Sequence, residues 1–342
     1  MKSGAGSPTP TTCPSAACAN LRLVSSAITR SYHPLRRSSE YGRLMDDRRV
    51  AFIGLGLMGA QMSRRLLEAG YEVRGYDVDP VRVGEHRERG GVAARSIEDA
   101  VEACETVVLS LPDSDVARQV LFGEEGITRS ESRPLHVYDT TTGRPEDAVE
   151  FASRLEGLGV DYCDTTLSGN SKSAERGELV VMVGGPEAAY RAGVGIFETI
   201  GRSHHHVGPA GAGARMKLLV NHILTIHRAA LAEGLVVAQL AGLDLSSTLE
   251  VLKDSLAYSK AMDVWGERMI LGDHTPPDAR LRQTSKDARL IVDHATMLGA
   301  PIDIVAVVRD ALAEGERTGL EDMDNSAIIE VMRRRAGVGR VP

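Results

Sequence analysis

Gly54-Leu55-Gly56-Leu57-Met58-Gly59 stands between a short apolar run, Val50–Ile53, and an apolar-periodic segment that begins near Met58. Glycines at this spacing, with a strand before and a helix after, suit the binding of a dinucleotide pyrophosphate. Gly54 permits the tight turn, Gly56 removes the Cβ that would hold the backbone off the phosphates, and Gly59 lets helix and strand pack closely. The helix start then turns free N–H groups and a partial positive charge toward the anion. Asp77, about 20 positions on at the end of the next strand pattern, can accept from the adenosine ribose hydroxyls and repel a 2′-phosphate, which favours NAD. Arg74 and Arg82 lie near enough to keep NADP open. The plain alternative is a glycine-rich turn in some other α/β protein, and the flanking strand, helix and acidic residue argue against it.

Two further groups have the chemistry to handle a substrate. Ser168-Gly169-Asn170 falls before the strand pattern Leu179–Val183, at the carboxyl edge where open α/β sheets bind ligands. A hydroxyl and two backbone N–H groups there can hold a carboxylate, although a simple turn needs the same residue types. Lys217 and Asn221 are one helical turn apart, so they share a face and can point together into a cleft. The chain has six lysines against 34 arginines, which sets Lys217 apart. Taken alone, a helical lysine is usually a solvated one.

The elements that position these residues follow from periodicity. Val50–Ile53, Val73–Tyr76, Thr106–Leu111, Leu135–Asp139, Val160–Asp164 and Leu179–Val183 read as six strands. Helical spacing fills Met58–Ala69, Val81–Arg89, Ser114–Phe122 and Pro145–Leu158 between them. This alternation predicts an α/β fold, an N-terminal Rossmann-type doubly wound sheet over residues 48–208. From 209 to 335 only helices are expected: Ala214–Leu240, Ser246–Ser255, Lys260–Leu271, Ser285–Leu298 and Ile302–Glu314. Residues 1–47 are rich in Ser, Thr, Pro, Ala and Arg without period, with three acidic residues against six basic. They read as a disordered tail, as the product of a start codon upstream of Met45, or as a targeting segment.

Composition narrows the function classes. With 42% hydrophobic and 25% charged residues over 342 positions, the chain is long enough for two globular domains. A net charge of −7 supplies no overall field for nucleic acid or anionic lipid, and no apolar run long enough to span a bilayer is evident. Cys13, Cys18, Cys104 and Cys163 are too irregularly spaced for a disulfide framework or a zinc site, so no metal and a reducing cytoplasm are expected.

The chain resembles the β-hydroxyacid dehydrogenases, whose members include 3-hydroxyisobutyrate dehydrogenase and tartronate semialdehyde reductase, from about Arg49 to Arg335. Val50–Gly59 is similar to that family's cofactor fingerprint, and Asp164–Asn170 to its substrate loop, departing from the usual double glycine in Asn170. Gly211–Asn221 is similar to its catalytic segment, with Lys217 in the catalytic position. Leu111-Pro112 resembles its cofactor loop, Thr142 its nicotinamide-side threonine, and Lys286-Asp287 a late pair whose lysine reaches the cofactor site. The resemblance implies oxidation of a short 3-hydroxy acid, or reduction of the matching semialdehyde, without decarboxylation. In that chemistry Lys217 is the general acid/base, with its charged form disfavoured beside the nicotinamide. Asn221 orients the reacting groups, and Ser168, Gly169 and Asn170 hold the small carboxylate substrate. An imine reductase of the same fold usually lacks the lysine, and a non-catalytic dinucleotide-binding scaffold has no need of Lys217, Asn221 and Ser168 together. The apolar helix around Ala229–Leu243, like the family, points to a homodimer or homotetramer.

Other features read more plainly. His204-His205-His206 is expected to be a solvated or edge-strand tract, since adjacent strand residues alternate sides. Trp265 and Met269 are read as core or subunit contact, Cys104 and Cys163 as buried small hydrophobes, and Arg333-Arg334-Arg335 as a helix end favoured by the dipole.

Overall fold

The structure is a computed structural model and describes residues 48–102 and 104–340. The readings for residues 1–47, including Cys13 and Cys18, lie outside the described residues.

The described chain begins with β1 (Arg49–Ile53), whose Val50, Ala51, Phe52 and Ile53 are buried on both faces. A continuous apolar run of this kind belongs in the interior of a parallel sheet. It is followed by β2 (Glu72–Tyr76), β3 (Val92–Ala93), β4 (Thr106–Leu109), β5 (His136–Asp139), β6 (Asp161–Ser168), β7 (Leu179–Gly184) and β8 (Gly201–Gly208). The eight strands form one sheet in the order β3-β2-β1-β4-β5-β6-β7-β8. Neighbours are parallel except β6 and β7.

Strand alternation divides the core between the two faces. Val50, Phe52 and Val108 pack with Met62 and Leu66 of α1 (Leu57–Glu68) and Phe197 of α7 (Glu187–Ile200). Ala51, Ile53, Val107 and Leu109 pack with Leu121 of α4 (Ser114–Phe122) and Phe151 of α5 (Pro145–Glu156). The remaining short helices on this sheet are α2 (Pro80–Glu88), α3 (Ile97–Val101) and α6 (Ser171–Arg176). Because β1 lies between β2 and β4, the chain departs to opposite sides after β1 and β4, which opens a crevice at their carboxyl ends.

Six strands were expected and eight are present among the described residues. β3 has two residues, too few to show alternation, and β8 carries the polar histidine tract at the sheet edge. There His204 Nδ1 pairs with the Tyr190 hydroxyl at 2.7 Å and His206 Nε2 with the Gly185 carbonyl at 2.8 Å. β6 also runs to Ser168 rather than stopping at Asp164, because antiparallel pairing with β7 extends it.

α8 (Ala212–Leu240) begins against the sheet. Asp164 of β6 accepts from Gly211 N at 2.8 Å and Ala214 N at 2.7 Å, so a strand carboxylate caps the helix from outside. Thr166 Oγ1 adds a bond to Gly213 O at 2.8 Å. These bonds fix where α8 leaves the sheet and therefore where Lys217 points. Around α8 pack α10 (Lys260–Leu271), α11 (Leu281–Met297), α12 (Asp303–Arg317) and α13 (Ile328–Ala336), with α9 (Leu245–Asp254) alongside. Their shared core includes Leu235, Trp265, Met269, Leu281, Leu312 and Ile329.

One further expectation is corrected. α8 is long and apolar enough by length and composition to cross a bilayer; here it is the axis of the helical bundle and carries Lys217 and the buried Arg228. Arg333, Arg334 and Arg335 do fall in the last turn of α13, and Arg333 is in addition buried, 1% exposed, where it donates to Glu330 Oε1 at 3.0 Å. Cys104 and Cys163 are both buried thiols.

Candidate active site

At the end of β1, Gly54 takes φ +96°, and a Cβ there would collide with the Ser110 carbonyl after β4. A Cβ on Gly59 would collide with the Gly54 carbonyl, so α1 lies directly against the turn. Gly56 differs: a Cβ there meets only Arg82 Nη1, at 3.5 Å. It is also the N-cap of α1 and has no side chain to bond the first-turn N–H groups. The backbone at Gly56 thus faces open space with free donors, which is the shape and polarity a pyrophosphate requires. The residues present fit a dinucleotide.

Asp77 is held in place at the end of β2. Its Oδ2 accepts from Leu55 N at 2.7 Å and its Oδ1 from Asp79 N at 2.9 Å. Arg82 Nη1 lies 3.5 Å from Asp77 Oδ2 and Arg82 Nε 3.4 Å from Asp79 Oδ2. Arg74, by contrast, is engaged with Asp99, donating to its carbonyl at 2.6 Å and its carboxylate at 3.0 Å. Of the two arginines that kept a 2′-phosphate open, only Arg82 lines the site.

A cleft of about 2220 Å³ runs from this turn into the space between sheet and helices. Gly54, Gly56, Leu57, Met58, Asp77, Leu111, Pro112 and Thr142 line its nucleotide end. Ser168, Gly169, Asn170, Lys217 and Asn221 line the other. Leu55, Gly59 and Lys286 are outside its wall. Leu55 is buried behind the turn, Gly59 serves packing, and Lys286 ties α11 to two loops. Lys286 Nζ donates to Pro112 O at 3.1 Å and Thr142 O at 3.0 Å, so it secures the loops after β4 and β5 instead of facing the cleft.

Ser168 ends β6, and Gly169 follows at φ +142°, where a Cβ would press on Leu179 Cδ2 at 2.6 Å. The Asn170 side chain is engaged by the helix that follows it. Its Oδ1 accepts from Ser173 N at 3.0 Å and caps α6, so its side chain serves the helix and its backbone is what remains for a ligand.

Lys217 is half-buried, and its Nζ donates to Leu167 O at 2.5 Å, next to Ser168. One turn on, Asn221 Nδ2 donates to Asp287 Oδ2 of α11 at 3.0 Å. Burial pulls the Lys217 ammonium below its ordinary range, the Asp287 charge opposes this, and the Lys286 charge adds to it. Burial also pushes the Asp287 carboxyl up, against the pull of Lys286 and Lys217. The arrangement is a tunable amine beside a hydroxyl and exposed N–H donors, able to exchange a proton with a substrate held by its carboxylate.

Several groups in the cleft escaped the sequence reading. Trp265 is core, as expected, yet it also lines the cleft. Arg228, Thr284 and Asn325 line it as well. The available signal was helical spacing: Arg228 lies three turns past Lys217 and two past Asn221 on one face of α8.

Residues 49–208 match the family model described as the NAD binding domain of 6-phosphogluconate dehydrogenase, and residues 211–332 that described as NAD-binding of NADP-dependent 3-hydroxyisobutyrate dehydrogenase. The chain is 29% identical to 2-hydroxy-3-oxopropionate reductase of Escherichia coli (strain K12), over 84% of this chain and 98% of that one. It is equally 29% identical to 2-(hydroxymethyl)glutarate dehydrogenase of Eubacterium barkeri, over 85% and 96%. Among solved structures, the 3-hydroxyisobutyrate dehydrogenase of Mycobacterium tuberculosis superimposes with a TM-score of 0.75 at 29% identity, covering 83% of this chain and 99% of that one. With both halves of the cleft matched in order, the chain belongs to the β-hydroxyacid dehydrogenase, or 3-hydroxyisobutyrate dehydrogenase, family of NAD(P)-dependent oxidoreductases.

Proposed function

We propose that this chain transfers a hydride between NAD(H) and a short 3-hydroxy acid or its semialdehyde, with Lys217 as general acid/base. The observation that carries the reading is Lys217 and Asn221 on one face of α8, opposite the Ser168 loop, in the cleft that opens at the glycine turn. The nicotinamide, when bound, exchanges the hydride. For oxidation, neutral Lys217 takes the hydroxyl proton; for reduction, its ammonium returns a proton to the alkoxide oxygen. The bond from Asn221 to Asp287 leaves the Asn221 carbonyl to accept from the Lys217 amine and turn its lone pair toward the reacting hydroxyl. The Ser168 hydroxyl with the N–H groups of Gly169 and Asn170 holds the carboxylate, which sets the carbon that faces the nicotinamide. Leu111, Pro112 and Thr142, which line the cleft, would border the nicotinamide, with Lys286 supporting that border from behind.

The position of Asp77 supports NAD as the preferred cofactor, and Arg82 beside it leaves NADP usable. Exposed Leu219, Val237, Leu240 and Leu243 on and after α8 support a homodimer or homotetramer. Cys104 and Cys163, buried as thiols, suit a reducing compartment, for which the cytoplasm is our reading.

The test is absorbance at 340 nm with NAD or NADP and a panel of 3-hydroxy acids, alongside Lys217→Ala. One acid should drive NADH formation, and Lys217→Ala should lose roughly 10²-fold or more in kcat. NADH binding without turnover of any hydroxy acid or semialdehyde would instead favour the scaffold or imine-reductase reading.

A further inference from the structure

This inference rests on the reading that a 3-hydroxy acid sits with its reacting carbon at Lys217, and it concerns the helical end of the same cleft. Arg228 lies on the Lys217–Asn221 face of α8, two turns past Asn221, a rise of about 10 Å. Helical side chains lean toward the N-terminus, which directs this guanidinium back toward Asn221. Arg228 is 4% exposed, and its Cζ stacks 4.1 Å from the centroid of the Trp265 ring. The stack fixes the plane of the guanidinium without using any of its N–H donors. Nη1 reaches Thr284 Oγ1 only at 3.5 Å, and Nε has no partner.

Among the described residues no carboxylate forms an ion pair with Arg228. The nearby Asp324 is already paired with Arg268 at 3.0 Å, and Asp287 is bonded to Asn221. Asp324 and Asp287 favour its charge only through space, and a buried guanidinium whose N–H groups no carboxylate meets gains from an anion that does. Thr284 adds a second donor: its Oγ1 accepts from Arg228 Nη1 and from Asn325 Nδ2 at 3.2 Å, which leaves its hydroxyl proton to give away. Asn325 Oδ1 is also unpartnered, and as an acceptor it turns an anion toward Arg228 and Thr284. All four side chains line the cleft.

We propose that Arg228 and Thr284 form an anion subsite for a second, distal carboxylate, so that the preferred substrates are 3-hydroxy acids or semialdehydes carrying two carboxylates. One carboxylate lies at the Ser168 loop and the other at Arg228, and the two anchors together place the reacting carbon against Lys217. A monocarboxylate leaves Arg228 unpaired and is held from one end only. Although burial pulls the guanidinium down to about 10, it keeps its charge at neutral pH.

The test is calorimetric titration of the NAD-loaded protein with 2-methylglutarate, which has both carboxylates and no hydroxyl to react, against isobutyrate, which has one. The dicarboxylate is expected to bind at least about tenfold more tightly, and Arg228→Met, which retains an apolar stack on Trp265, to erase roughly 10²-fold of its affinity. In turnover, the preference for 2-(hydroxymethyl)glutarate over 3-hydroxyisobutyrate should collapse through KM. Should Arg228→Met not fold, Thr284→Val leaves the stack intact and is expected to weaken the dicarboxylate about tenfold. Equal affinity of the wild type for both acids, or equal loss for both in Arg228→Met, overturns the subsite. Dicarboxylate binding without turnover of any hydroxy acid keeps the subsite and removes the dehydrogenase reading, while turnover without that preference does the reverse.

Discussion

Asn221 Nδ2 donates to Asp287 Oδ2 at 3.0 Å, which joins α8 to α11 beside the candidate general base. The same carboxylate supports the Lys217 ammonium through space, while Lys286, its neighbour in sequence, opposes it. Two adjacent residues on α11 therefore act on the Lys217 pKa with opposite sign.

That opposition gives a pH test. Alcohol oxidation needs the neutral amine, so kcat/KM should rise with pH and level off above the Lys217 pKa. Asp287→Asn removes a negative charge, disfavours the ammonium and should move this limb to lower pH. Lys286→Met removes a positive charge, favours the ammonium and should move it to higher pH. In the reductive direction each limb is inverted, because the acid form is then the active one. Shifts of the same sign in both variants would mean that another group sets the limb.

The glycine turn separates folding from binding. Gly54→Ala forces a Cβ onto the Ser110 carbonyl at φ +96° and should cost about 1–3 kcal/mol or more in thermal or denaturant unfolding. Gly59→Ala meets the Gly54 carbonyl and should behave alike. At Gly56 the added methyl meets only Arg82, so Gly56→Ala should melt like the wild type yet bind NADH weakly by fluorescence titration. Normal NADH affinity in Gly56→Ala would place the phosphates elsewhere.

Much of this site is legible in the sequence because the determinants are local. The turn needs glycines at fixed offsets, and Lys217 and Asn221 share a face by helical period alone. What was not legible depends on contacts across the fold. Asn170 caps α6 because the chain turns there into a helix too short to announce itself. Lys286 secures two loops far ahead of it in sequence, which no spacing rule brings together. Arg228 looked like one more arginine in an arginine-rich chain until its burial against Trp265 set it apart. β3 and β8 were missed for lack of an alternating apolar signal at the two sheet edges.

Association is tested on the outer face of α8. Val237 and Leu240 are 61% and 60% exposed, and Leu243 follows at 58%. A row of large apolar side chains on a surface helix marks a contact surface. Val237→Glu combined with Leu240→Glu should shift the protein toward monomer in light scattering coupled to size exclusion, since a buried charge opposes association. A wild type that runs as a monomer at micromolar concentration removes the proposal.

On the proposed reading, cofactor choice is set by one carboxylate and one arginine. Asp77 is fixed by Leu55 N and Asp79 N, so it cannot easily swing away from a 2′-phosphate, and Arg82 approaches it at 3.5 Å. With NAD, Asp77 would meet the ribose hydroxyls and Arg82 would keep only a rim position. With NADP, Asp77 repels the phosphate while Arg82 attracts it. Asp77→Ser should therefore raise kcat/KM for NADP relative to NAD by roughly tenfold or more, about the worth of one charged hydrogen bond. Arg82→Leu should act in the other direction, lowering use of NADP and leaving that of NAD nearly intact. The double variant should fall between the two, because the attraction and the repulsion are removed together. A wild-type preference for NADP that persists in Arg82→Leu would show that the 2′-phosphate is held by residues other than this pair.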